Sequence, residues 1–102
     1  MIKDFCPLNL TMNLIGTKWK PLVLFHLLDG CVRSGILKKK VPDISNKMFT
    51  QTVRELEKDG LISRKVFPVV PPKVEYELTD RGRSLEQILR SLDAWGKEMS
   101  SD

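Results

Sequence analysis

The sequence predicts a mainly helical α+β fold in the order helix, helix, short helix, capped helix, β-hairpin, helix. Three observations carry this. Apolar residues recur every three or four positions in 44–62 and again in 85–99; between Leu61 and Leu78 the pattern changes to alternation; and Gly, Pro, Ser and Thr stand at the points of change. With 102 residues, 41% hydrophobic and 29% charged, the chain has the composition of one compact domain with a modest core. A deep enzyme cleft is disfavoured at this size, and association into a dimer is a common way for so small a domain to bury more surface.

Residues 8–15, "LNLTMNLI", form a short helical candidate ended by Gly16. A second helix starts at Thr17, whose hydroxyl can cap the free N–H groups of the first turn, and runs to Gly30. Pro21 is tolerated because it falls in that first turn, and Leu22, Val23, Phe25, Leu27 and Leu28 make this the central core helix. "RSGILKKKVPD", 33–43, is a third, short helix ending before Pro42, which disfavours helix at the residue ahead of it.

The fourth helix lies in "ISNKMFTQTVRELEKDGLI", with Ser45 as N-cap and Gly60 as stop. Met48 or Phe49, Val53 and Leu56 fall at core spacing, which leaves Asn46, Lys47, Thr50, Gln51 and Arg54 on one outer stripe. Strands follow at 61–67 and 73–78, joined by the stiff loop "PVVPP", whose prolines cannot donate ladder hydrogen bonds. Thr79 then caps a last helix in which Leu85, Ile88, Leu89, Leu92, Trp95 and Met99 form an apolar stripe, either the lid of the core or half of a dimer seam.

Several classes of function are disfavoured. The longest nearly uncharged apolar run, "PLVLFHLL" at 21–28, is far short of the roughly 20 residues that cross a bilayer, and Asp4 and Pro7 interrupt any signal peptide. A cytoplasmic protein without a membrane partner is expected, its two cysteines, Cys6 and Cys31, free thiols. His26 has no paired motif of the CxxC or HxxxH kind near it, so no metal or other cofactor is expected, and a half-buried histidine satisfied by the backbone fits better. With no nucleophile partner for that histidine and no Gly-rich phosphate loop, an enzyme is not expected.

The charge distribution points elsewhere. Of the net +4, residues 31–65 alone contribute +5, from nine Lys and Arg against four Asp and Glu. Positive charge gathered in the middle third suits a polyanion. The short third helix, the turn "PDIS" and the capped fourth helix form a helix-turn-helix, and the hairpin after it is the wing of a winged helix-turn-helix. In that arrangement the second helix enters the major groove of DNA, where Asn and Gln pair with adenine, Arg and Lys with guanine, and the Thr methyl meets that of thymine. Ser45, Asn46, Lys47, Thr50, Gln51 and Arg54 are therefore candidate DNA contacts on the reading helix, with Lys38, Lys39, Lys40, Arg64, Lys65 and Lys73 flanking them. A winged helix used for protein contacts is the alternative, but its face should be more apolar or aromatic than this stripe.

Nearly the whole chain also resembles the HxlR-type transcriptional regulators, winged-helix relatives of the MarR group. The resemblance rests on "CPL" near the N-terminus, "IGTKWKPLVLFHLLDG", "ISNKMFTQTVRELEKDGLISRKVFPVVPPKVEYELTDRG" and the final "LDAWG". It implies a typically bacterial regulator that binds a pseudo-palindromic double-stranded operator as a homodimer. The absence of repeats, low-complexity tracts and Gly/Ser linkers gives one domain over residues 1–102; the resemblance implies that the first helix and the last (about 79–100) build the dimer interface, and Leu85, Ile88, Leu89, Leu92 and Trp95, more apolar stripe than so small a core needs, are its candidate residues. Asn46, Lys47, Thr50, Gln51 and Arg54 match the family's recognition helix, and 68–73 its wing. Cys6 matches a near N-terminal cysteine that several members use to sense oxidants or electrophiles. Two features depart from the pattern: "CVRSGILKKKV" has Gly35, Ile36 and a lysine triplet where many relatives are richer in Arg, Phe and Glu, and Cys31 matches no position of the family.

A reactive Cys6 has a physical rationale. It lies just before the first predicted helix, whose partial positive charge stabilises a thiolate, as Lys3 nearby would, while Asp4 opposes this. Cys31, beyond a helix C-terminus, is the weaker candidate, and an inert Cys6 packed at the interface edge is the other reading.

Overall fold

A computed structural model describes residues 5–100. Helices α1 (Pro7–Ile15) and α2 (Lys20–Phe25) precede a short strand β1 (Val32–Arg33), followed by α3 (Ser34–Lys40) and α4 (Asn46–Lys58). Strands β2 (Ile62–Phe67) and β3 (Lys73–Leu78) form the hairpin, and α5 (Asp80–Arg83) and α6 (Glu86–Ser100) close the chain. The sheet is antiparallel in the order β1-β3-β2, so β3 is its central strand. Val23, Leu24, Leu27, Leu37 and Leu56, each fully buried, tie α2, α3 and α4 and the turns after α2 into one core, which the bases of β2 and β3 extend through Ile62, Tyr76 and Leu78.

The helix-turn-helix forms where expected. Val41 leaves α3 in an extended conformation ahead of Pro42, and Asp43 turns the chain at φ 67°, a left-handed value that aspartate adopts more readily than most residues. Ser45 caps α4 by accepting a hydrogen bond from the Met48 N–H at 3.0 Å. At the other end Leu61 N–H bonds Leu56 O and Gly60 N–H bonds Glu57 O, both at 3.0 Å, with Gly60 at φ 75°. This pair of bonds closes a Schellman motif, and Leu56 and Leu61 meet in the core beneath it.

Four features differ from the sequence expectation. Thr17 does accept a hydrogen bond from the Lys20 N–H at 3.2 Å, but α2 ends at Phe25 and not near Gly30. Beyond it Leu27 and Leu28 donate three residues back, to Leu24 and Phe25, which tightens the chain into turns. Leu22, placed in the core by its spacing, is 38% exposed beside α6. Arg33 belongs to a strand and not to the third helix, because Val32 and Arg33 pair with Tyr76 and Glu75 of β3. The last helix is broken: Thr79 caps the short α5, accepting from Gly82 N–H at 3.1 Å, and the chain turns at Ser84 and Leu85 before α6 begins.

One expected interface residue is a core residue. Leu89 is 2% exposed and packs inward, and Leu85 is half-buried against the same core. The apolar side chains that α6 leaves in the open are Ile88, Leu92, Trp95 and Met99, each between 47 and 63% exposed. No described helix is long and apolar enough to cross a membrane.

Candidate nucleic-acid interface

Helix α4 is amphipathic, with Phe49, Thr52, Val53 and Leu56 buried beneath it. Because residues on a helix repeat every ~3.6 positions, that inward face leaves Asn46, Lys47, Thr50, Gln51 and Arg54 together on the outer one. They line a single open groove of about 600 Å³, joined by Glu55. Among the described residues, Asn46, Lys47, Thr50 and Arg54 have no side-chain hydrogen bond or ion pair. Their donors and acceptors are therefore available to an external ligand. Ser45 differs, since its hydroxyl oxygen already caps the helix.

Two residues that sequence reasoning passed over organise this face. Lys20 of α2 is buried, and its Nζ lies 3.0 Å from Glu55 Oε1. Gln51 donates through Nε2 to Glu55 Oε2, also at 3.0 Å. The Lys20 hydrogen bond, then that from Gln51, hold the Glu55 carboxyl below the usual carboxylate range. A lysine in an otherwise apolar helix signals a buried ammonium that needs a carboxylate, but not which carboxylate meets it. A second groove of about 230 Å³ runs alongside, between α4 and residues 17–20, where Lys18 sits over the Trp19 ring at 4.6 Å.

The flanking cations are less uniform than their spacing suggests. Opposed residues in an antiparallel ladder share a face, so Arg64, opposite Tyr76, lies on the side of the hairpin that turns to α4, where it meets Glu57 at 3.6 Å. Lys65 and Lys73 lie on the other side, both over the Phe67 ring, at 5.0 and 4.4 Å, and Lys73 also meets Glu75 at 3.3 Å. The Arg64–Glu57 pair is exposed and the Lys73–Glu75 pair half-buried; an exposed pair is weak, so a phosphate can displace Glu57 from Arg64. Lys38, Lys39 and Lys40 make up the last turn of α3, and successive residues there point about 100° apart, so the triplet fans out. The charge of Lys40 reaches His26, whose pKa it helps burial to lower.

Cys6 is exposed and is the N-cap residue of α1, in an extended conformation, with Pro7 as the first helical residue. Lys3 and Asp4, its expected neighbours, lie outside the described residues. Cys31 is exposed beside Ser63, Lys65, Glu75 and Glu77 on the outer face of the sheet. His26 is half-buried against the edge of Phe25, with ring centroids 5.5 Å apart. Among the described residues no three His, Cys, Asp or Glu side chains cluster as metal ligands would.

Known proteins of the same pattern place the chain. The HxlR-like helix-turn-helix family model matches residues 14–102. The chain belongs to that family. Over 96 residues, 94% of this HxlR-like chain and 81% of the relative, it is 50% identical to YkvN, an HTH-type transcriptional regulator of Bacillus subtilis. Among solved structures it is similar to the redox regulator HypR in its oxidized form, with TM-score 0.87 and 43% identity over 95% of this chain and 99% of that one. A transcriptional regulator of the MarR family from Porphyromonas gingivalis W83 superimposes with TM-score 0.90 at 35% identity, over 96% of each chain. The fold is a winged helix-turn-helix, and the protein is a transcriptional regulator of the helix-turn-helix type and not an enzyme.

Proposed function

We propose that this regulator is one winged helix-turn-helix domain over residues 1–102 that reads a pseudo-palindromic operator as a homodimer in the bacterial cytoplasm. The observation that carries the reading is the outer stripe of α4, where Asn46, Lys47, Thr50 and Arg54 stand exposed and unpaired along one groove. In such a face Gln51 and Arg54 contact base edges, Asn46, Lys47 and Thr50 the bases and phosphates near the helix start, and Lys38, Lys39, Lys40, Arg64, Lys65 and Lys73 the backbone. Ser45 serves by holding the first turn in place. Alanine at Gln51 or Arg54 should cost about 1–3 kcal/mol on the operator and much less on random duplex. Fluorescence anisotropy on both DNAs checks this, and equal losses on the two would reduce these residues to phosphate contacts.

The dimer is supported by the apolar side chains the protomer leaves uncovered: Ile88, Leu92, Trp95 and Met99 on α6, and Leu8, Leu10 and Met12 on α1. We place the interface on these two helices. A two-fold axis between them sets two copies of α4 about one duplex turn apart.

A thiol signal through Cys6 is the finer part of the proposal. The residue is exposed at the start of α1, next to the helix that carries the interface, and HypR, to which the chain is similar, is a redox regulator known in oxidized and reduced forms. Addition of the Cys6 thiolate to a quinone forms an S–C bond as a ring C=C π bond breaks, the displaced electron pair moves onto the conjugated carbonyl oxygen, and that oxygen takes a proton from water; the bulk added at α1 then shifts the spacing of the reading helices. A quinone should therefore change operator affinity of the wild type and of Cys31→Ser, and leave Cys6→Ser unaffected. An unchanged wild type would exclude Cys6 as the sensor.

A further inference from the structure

Glu55 is the acidic member of the groove on α4, a position where a carboxylate repels a polyanion. Both of its oxygens are engaged, Oε1 by the buried Lys20 ammonium and Oε2 by the Gln51 amide, each at 3.0 Å. A carboxylate only accepts hydrogen bonds, so Gln51 must give it an N–H, which directs the amide carbonyl oxygen away from Glu55. A glutamine without such a partner turns freely about its last torsion, which is broad and roughly two-fold, and so exchanges its oxygen and nitrogen ends. A held glutamine offers one arrangement only: an acceptor and a remaining N–H, the complement of the N6 amine and N7 of adenine.

We propose that Lys20 and Glu55 are positioning residues for base recognition: Lys20 neutralises and anchors Glu55, and Glu55 holds the Gln51 amide in the orientation that selects adenine. This rests on α4 reading bases as argued above. Glu55 acts through Gln51 in this arrangement, since each of its oxygens already accepts a hydrogen bond and its charge is balanced from inside the protein before DNA arrives.

The test is selection from a library of randomised double-stranded DNA by the purified full chain, followed by sequencing, for wild type, Gln51→Ala and Glu55→Gln. Wild type should favour adenine at one base pair of each half-site by about fivefold or more, the lower bound for a bidentate contact. Gln51→Ala should lose that preference, and Glu55→Gln, no longer an obligate acceptor, should lose it at the same base pair. A purely structural role for Glu55 would leave the preference where it is. An intact preference in Glu55→Gln, or one lost at a different base pair from that of Gln51→Ala, overturns the positioning role. A wild type that selects no sequence defeats the reading of α4 itself, which a preference lost only in Gln51→Ala does not. The Lys20→Met/Glu55→Gln double variant removes both charges together, so neither is buried unpaired. It should keep the wild-type circular dichroism and behave as Glu55→Gln does, and an adenine preference restored in it would likewise overturn the proposal.

Discussion

His26 sits half-buried at the end of α2, in electrostatic reach of Lys40 from α3 and Asp93 from α6, with the Phe25 ring against its edge. Burial first, and Lys40 second, push its pKa below 6.5, against a smaller opposite pull from Asp93. The unfolded chain therefore binds the imidazole proton more readily than the folded one. The contribution to stability is present above pH 6.5 and is lost as pH falls through the folded-state value. Melting temperature should drop between about pH 7 and 5, and His26→Gln should flatten that part of the profile; an equal drop in both proteins would assign it to carboxylates. Single residues show where sequence reading stops. The stripe of Asn46, Lys47, Thr50, Gln51 and Arg54 was legible because helical periodicity assigns faces without knowing the partner. Lys20 was not legible as part of the site, because nothing in "TKWKP" or "RELEK" says that these two segments touch.

At the scale of elements, local chemistry sets the ends of α4. Replacing Ser45 by alanine removes the acceptor for the Met48 N–H and should cost about 1 kcal/mol of stability, by the usual worth of a helix cap. Urea titration checks this, with operator binding expected to suffer as well, since the freed first turn is the part proposed to meet the bases. Gly82 of α5 is constrained from outside its own helix: a Cβ there would collide with the Leu61 carbonyl oxygen. Gly82→Ala must push α5 from the base of β2, and should destabilise by about 1–3 kcal/mol, the range for an overpacked contact. Gly35→Ala, with open space around it, is the control. The hairpin and its Pro-rich loop were read from alternation and from the donors proline lacks. Strand β1 was missed because two residues carry no periodicity, and Val32 and Arg33 become a strand only through their bonds to β3.

The whole molecule is broad and thin. Its extents are 51 × 46 × 24 Å and its radius of gyration is 15.0 Å, above the ~13 Å of a compact chain of about 100 residues. Together with the open apolar faces of α1 and α6, this shape suits a protomer completed by a second copy. Leu92→Glu puts a charge in the middle of the exposed α6 stripe and should yield monomers with weak operator binding; a wild type that sediments as a monomer at micromolar concentration would contradict the dimer. Lys and Arg are concentrated in the segment that folds into α3, α4 and the wing. If a dimer neutralises about 6–10 phosphates through them, log affinity should fall with log salt at a slope near −5 to −9. A slope near zero would favour a protein partner over DNA.

The sequence by itself determined the helix-turn-helix with the cap and stop of α4, the hairpin, the outer stripe of α4 and the concentration of charge around it. Each of these follows from neighbours a few positions apart or from composition, which the chain carries before it folds. Tertiary structure alone decided that α2 stops at Phe25, that Leu89 belongs to the core while Leu92 and Trp95 stay in the open, that Arg64 lies across the hairpin from Lys65 and Lys73, and that a buried lysine holds the acidic residue on the outer face of α4. These depend on which surfaces meet, because a periodic pattern says that a side chain is on a face but not what, if anything, covers it.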